Sequence, residues 1–167
     1  MEQHRNNDDR IPPPYEWATD RRARIHSMQQ LRERGINIII GEVHCKNCDM
    51  TYQEEYDLAQ KLGEVTLFIS SRITTMHDRA PQEWEKPRSP ACRFCQTADV
   101  KPVISEENDS INWLFLFLGQ NLGHLNAAQL KYFLKHTDIH RTGAKNRLLY
   151  LTYLGLYQQL LPDFVPN

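Results

Sequence analysis

The four cysteines of this chain form two Cys-x-x-Cys pairs, Cys45 with Cys48 in HCKNCD and Cys92 with Cys95 in ACRFCQ, and none is left over. That spacing is the arithmetic of one tetrahedral zinc site. Each pair makes a tight knuckle that presents two thiolates at about 2.3 Å from a common ion. A four-thiolate zinc keeps no position open for water or substrate, so its expected task is to hold a fold together, with one structural Zn2+ per chain. His44 stands beside Cys45 and could take the place of one sulfur, although neighbouring residues rarely both reach one ion. Three other uses of the cysteines compete. A thioredoxin-like redox pair needs a single motif opening a helix in a βαβ setting, and here there are two motifs without that frame. Two disulfides need an oxidising compartment, and the third possibility is that the thiols are unligated. The start MEQHRNNDDRIPPP is polar and lacks the apolar stretch of a secretory signal. Reduced thiols and an intracellular protein, in nucleus or cytoplasm, are therefore the expectation.

Of the 167 residues, 40% are hydrophobic, 10% aromatic and 25% charged, which suits one globular domain with a flexible end. A net charge of -1 removes any argument from global charge for nucleic acid or an anionic membrane, leaving only local basic clusters. The most apolar run, INWLFLFL from Ile111 to Leu118, falls far short of the roughly 20 residues a membrane helix requires. It reads as a buried element, and no membrane association is expected.

The expected organisation is a proline-containing disordered or draped tail over 1–14, one zinc-stabilised domain over 15–162 and a short tail over 163–167. Tyr15 to Arg34 places Trp17, Ala18, Ile25, Met28 and Leu31 on one helical stripe, with Gly35 as its cap. The β-branched run from Ile36 to Val43 predicts a strand that leads into the first knuckle. Thr51 and Glu54 have the spacing of a capping box, which predicts a helix bearing Tyr52, Tyr56, Ala59 and Leu62; Val65 to Ile69 either extends it or turns into a strand. Thr74 to Pro90 reads as an ordered surface loop pinned by Trp84, Lys101 to Ser105 as a strand beside the first, and Glu106 to Asp109 as the turn out of it. Helices are expected over 111–121, 126–135 and 143–161, the last with Leu149, Tyr153, Leu156 and Leu160 in one buried row. The fold class is thus α+β, with two knuckles, a short β-sheet and a C-terminal helical part sharing one core.

Several long phrases carry a resemblance: EEYDLAQKLGEV, MHDRAP with Trp84, INWLFLFLGQNLG, and QLKYFLKHTDIHRTGAKNRLLYLTYL. Together with the paired knuckles they look like an uncharacterised plant protein family known only as a domain of unknown function. The resemblance covers Tyr15 to Pro162 and implies a plant origin and joint use of the two Cys-x-x-Cys motifs. It implies no activity or catalytic residue. Family members often carry further cysteines near the positions of His124, Leu125 and Leu134; this chain has none there, which speaks against a second cysteine-dependent site.

The densest polar cluster is KHTDIHRTGAKNR. His136 and His140 with Asp138 suggest a hydrolytic metal centre, but ligation at that spacing needs a continuous helix, and Thr137 and Asp138 read as a break. Alternatively, Thr142, Gly143 and Ala144 open the last helix, with Arg141, Lys145 and Arg147 as donors for an anion such as phosphate. A third reading is a plain helix connection with a solvated basic face. Arg21, Arg22 and Arg24, with Arg32 and Arg34, form a second basic run that could meet nucleic-acid phosphates, against the acidic neighbours Asp20 and Glu33. Lys46 and Arg93 inside the knuckles offset the charge of a four-thiolate zinc. No set of nucleophile, base and orienting group can be assembled, so the expected function is a non-catalytic, zinc-stabilised module that binds a protein partner, with no small-molecule substrate. The alternatives are a nuclear nucleic-acid-binding zinc protein and a metal-dependent phosphate-handling or hydrolytic enzyme around His136 and His140.

Overall fold

The structure, a computed structural model, describes residues 10–139 and 143–164. Its architecture is α+β: among the described residues there are a three-stranded antiparallel sheet of order β2-β1-β3, with β1 Ile38–Cys45, β2 Thr51–Asp57 and β3 Val100–Pro102, and six α-helices. The helices are α1 Met28–Glu33, α2 Leu58–Met76, α3 Gln82–Glu85, α4 Trp113–Leu118, α5 Ala127–His136 and α6 Lys145–Leu160.

β1 is the central strand, and its side chains alternate: Ile39, Val43 and Cys45 are buried with Gly41, while Ile38, Ile40 and Glu42 face outward. At Gly41 a Cβ would overlap the ring of Phe115, so glycine is what lets α4 press onto the sheet. β3 is short and covers only the knuckle end of β1. Further along, Asn112 takes over: its Nδ2 donates to the Ile40 carbonyl at 3.0 Å while its Oδ1 accepts from the Phe115 amide as the N-cap of α4. All six residues of α4 are buried.

Three expectations are corrected. The helix expected over Tyr15 to Arg34 is confined to Met28–Glu33, opened by a capping box between Ser27 and Gln30. Upstream, Ala23 takes a positive φ of 59° and Ala18 bridges to Ile25, so the apolar residues there reach the core from a loop. Gly35 does terminate α1: with φ at 72°, its amide donates to Arg32 and that of Ile36 to Leu31, a Schellman closure. The helix expected from Thr51 is instead β2, and the helix begins at Leu58, where Asp57 accepts from the Gln60 amide at 2.9 Å. Val65 to Ile69 then lies inside α2, whose Leu58, Leu62, Val65, Ile69 and Met76 make one buried stripe. The segment expected as a loop over 74–90 begins only after Met76 and contains α3.

Trp84 does pin that segment. It is fully buried, stacks on Tyr153 of α6 with ring centroids 3.8 Å apart, and donates its indole N–H to Gln120 Oε1 at 2.9 Å. Leu149, Tyr153, Leu156 and Leu160 form the inward row of α6, and one continuous apolar core joins sheet and helices. Residues 1–9 of the expected N-terminal tail lie outside the described residues; from Arg10 the chain bridges to Arg21, and the Ile11 amide donates to Asp20 at 2.8 Å.

Candidate metal centre

The first knuckle is the hairpin turn between β1 and β2, and the second immediately precedes β3. Because Cys45 pairs with Val100 across the β1–β3 ladder, the sheet itself carries the two knuckles to the same end. They are built alike. In the first, the Asp49 amide donates to Cys45 at 2.8 Å and the Cys45 amide to Met50 at 2.9 Å; in the second, Gln96 donates to Cys92 at 3.0 Å and Cys92 to Thr97 at 2.9 Å. The residue after each pair, Asp49 or Gln96, has a left-handed backbone with φ at 64° or 67°. The knuckles are also tied to one another, as the Lys46 amide donates to Asp99 at 3.1 Å and Asn47 Nδ2 to Thr97 Oγ1 at 3.2 Å.

All four sulfurs lie within 4.8 Å of one another, and among the described residues this is the cluster of metal-ligating side chains that could hold an ion. Cys45 and Cys95 are 3.6 Å apart, Cys48 and Cys92 3.7 Å. A tetrahedron with metal–sulfur bonds of about 2.3 Å has edges of about 3.8 Å, which these two separations match, so the donor set suits a four-thiolate ion. No disulfide joins the four, and Cys45 and Cys92 are buried. His44 lies on the outer face of β1, with its Nε2 2.7 Å from Asp49 Oδ1, and is not part of the cluster.

The environment of the thiols suits a cation. At Cys48 the Met50 amide pulls the thiol down, but desolvation and the sulfurs of Cys92, Cys45 and Cys95 outweigh it and push it up to about 12. Cys95 goes the other way, to about 6, held down by Asn47 and then by the Thr97 amide. At Cys92 desolvation is opposed by the amides of Cys95 and Phe94, and the thiol is held down as well. Adjacent thiols resist ionising together, and a dication removes that conflict by stabilising all four thiolates. The basic positions match too, Lys46 and Arg93 each following the first cysteine of a pair. Arg93 is fixed: its guanidinium sits 4.7 Å over the Tyr52 ring and 3.7 Å from Glu54.

Among the described residues, the other candidate clusters do not form such a site. His136 ends α5, Thr137 caps it and Asp138 has a φ of 61°, so no continuous helix runs on toward His140. His140, Arg141 and Thr142 lie outside the described residues. Lys145 Nζ donates to the Gly123 carbonyl at 3.1 Å, and Arg147 packs its chain against Gly143. In the basic run near the N-terminus, Arg22 pairs with Asp109 at 3.1 Å and Arg24 with Asp138 at 3.3 Å.

Residues 28–160 match the family described as domain of unknown function DUF7086. The chain belongs to this family. The DUF7086 segment opens at the first residue of α1 and closes at the last residue of α6, so it contains both knuckles, the three strands and every helix among the described residues. No curated protein and no solved structure matches the chain.

Proposed function

We propose that the chain is a non-catalytic binding module, stabilised by one structural Zn2+ on Cys45, Cys48, Cys92 and Cys95, that acts on a protein partner inside the cell. The observation that carries this reading is the closed, all-sulfur donor set at tetrahedral spacing. Four soft thiolates select zinc or iron over magnesium or calcium, and a fully ligated ion offers no position for substrate. The partner reading is supported by the outer face of the sheet. Ile38 and Ile40 are 42% and 45% exposed on the central strand, beside Val103 and rimmed by Glu42 and Glu55. An apolar centre with an acidic rim complements a basic, amphipathic protein segment. No helix among the described residues is long and apolar enough to cross a membrane.

Elemental mass spectrometry on protein purified under reducing conditions tests the metal: one zinc per chain is expected, and iron or none overturns the assignment. For the partner, crosslinking in cell extracts with wild type and Ile40→Asp is expected to show one adduct lost in the variant.

A nucleic-acid reading draws support from the knuckle tip, where Phe94 is 54% exposed beside Arg93 and the edge of Tyr52. A gel-shift titration separates the two, since phosphate binding weakens steeply with added salt.

A further inference from the structure

On the inner side of the sheet, α4 covers the Gly41 end but not the end toward the knuckles. The uncovered part is a cleft of 320 Å3 with Val43, Val100 and Pro102 as an apolar floor. Its walls are the segment at Arg88 and the turn from Gly119 to Asn121. Three polar groups reach it unspent: among the described residues, the Tyr56 hydroxyl, the Asn121 carboxamide and the Arg88 guanidinium make no hydrogen bond or ion pair. Two of them converge on one spot. A Cβ on Gly119 would lie 2.6 Å from Tyr56 Oη and 2.8 Å from Asn121 Nδ2, so both polar atoms pack against this glycine at the wall of the cleft. Tyr56 is held there by its ring, stacked on Phe115 at 4.5 Å.

The charge balance decides the ligand. Glu54, the acid of the cleft, is 3.7 Å from Arg93, and Lys61 is 3.8 Å from Glu64, so the charge without a partner is the cation Arg88. A volume at the low end of small-molecule sites, an apolar floor and a few convergent polar groups are the attributes of a ligand pocket. We propose that this cleft is a binding site for a small organic carboxylate, its carboxylate held by Arg88, Tyr56 and Asn121 and its hydrocarbon body resting on Val43, Val100 and Pro102. A guanidinium takes a carboxylate through two parallel N–H donors, and the phenol and amide supply the remaining ones. The cleft holds this ligand without changing it, and the inference is independent of which metal the knuckles hold.

The test is an NMR titration of the full, metal-loaded chain with three probes: benzoate, its neutral counterpart benzamide, and inorganic phosphate. Saturable shifts confined to amides around Val43, Val100, Gly119 and Asn121 are expected with benzoate alone. Arg88→Gln, a change at an exposed side chain, is expected to weaken benzoate by about tenfold or more while the spectrum stays folded. Gly119→Ala is expected to weaken benzoate by pushing the Tyr56 hydroxyl and the Asn121 carboxamide out of place. Absence of saturable shifts, equal binding of benzamide, binding of phosphate alone, or benzoate binding unchanged in a folded Arg88→Gln protein would each overturn the proposal.

Discussion

Gly41 of β1 lies directly beneath the ring of Phe115 of α4, close enough that no side chain fits between them. Phe115 is itself fully buried and stacked on Tyr56, so it cannot retreat. Gly41→Ala, though it favours strand backbone, is expected to destabilise the fold by about 1–3 kcal/mol through overpacking. The midpoint of urea unfolding reads this directly; a midpoint at or above that of wild type would mean the sheet and α4 are less closely packed than described.

Trp84 is the anchor of the segment between α2 and the second knuckle. Trp84→Ala removes its stacking on Tyr153 and its bond to Gln120, and an expected loss of about 3–5 kcal/mol should leave little folded protein. Trp84→Phe keeps much of the stacking but strands the Gln120 acceptor, so an intermediate loss is expected in the same unfolding assay.

Removal of metal should act on the whole domain. Structural zinc contributes on the order of 10 kcal/mol of apparent binding energy, comparable with the stability of a domain. Cys92→Ser is therefore expected to give insoluble or zinc-free protein, and chelation of wild type to lower its melting temperature. A soluble Cys92→Ser protein with unchanged zinc and melting temperature would rule out the site.

His124 gives the fold an acid-sensitive element. Burial, then the charges of Lys101 and Lys145, hold its imidazole below the ordinary value of 6.5. The unfolded chain thus takes up that proton more readily than the folded one. Stability from this group is complete above about pH 6.5 and falls as the pH drops from there toward the folded value. The difference in urea midpoint between about pH 7.5 and pH 5.5 is expected to be smaller in His124→Gln than in wild type. Equal pH dependence in both proteins would assign the effect elsewhere.

The features that were legible in the sequence are those set by local spacing. The cysteine pairs, the buried row Leu149, Tyr153, Leu156 and Leu160, and the cap at Gly35 are each written within a few residues. The strand β2 is not. Thr51 and Glu54 carry the spacing of a capping box, but the first knuckle turns the chain back along β1, and Tyr52, Glu54 and Tyr56 then alternate on one face of a ladder. The real cap, Asp57, lies six residues further on. Likewise the stripe from Trp17 to Ile25 suits a helix by period, yet the Ile25 amide bonds to Gln159 Oε1 of α6 at 2.7 Å, a partner 134 positions away. The cleft left no local signal, because Val43, Tyr56, Arg88 and Asn121 come from four separate segments.

Cys48 and Cys92 stand 44 positions apart, and β2, α2 and α3 all lie on the chain between them. During synthesis the first half-site therefore emerges well before its counterpart. Two thiolates alone hold an ion weakly, so tight capture must wait until the intervening segment has folded back and brought the second knuckle to the end of the sheet. Metal uptake at the proposed site would then act as a proofreading step late in maturation, sealing chains that have docked β3 beside β1 and passing over misassembled ones.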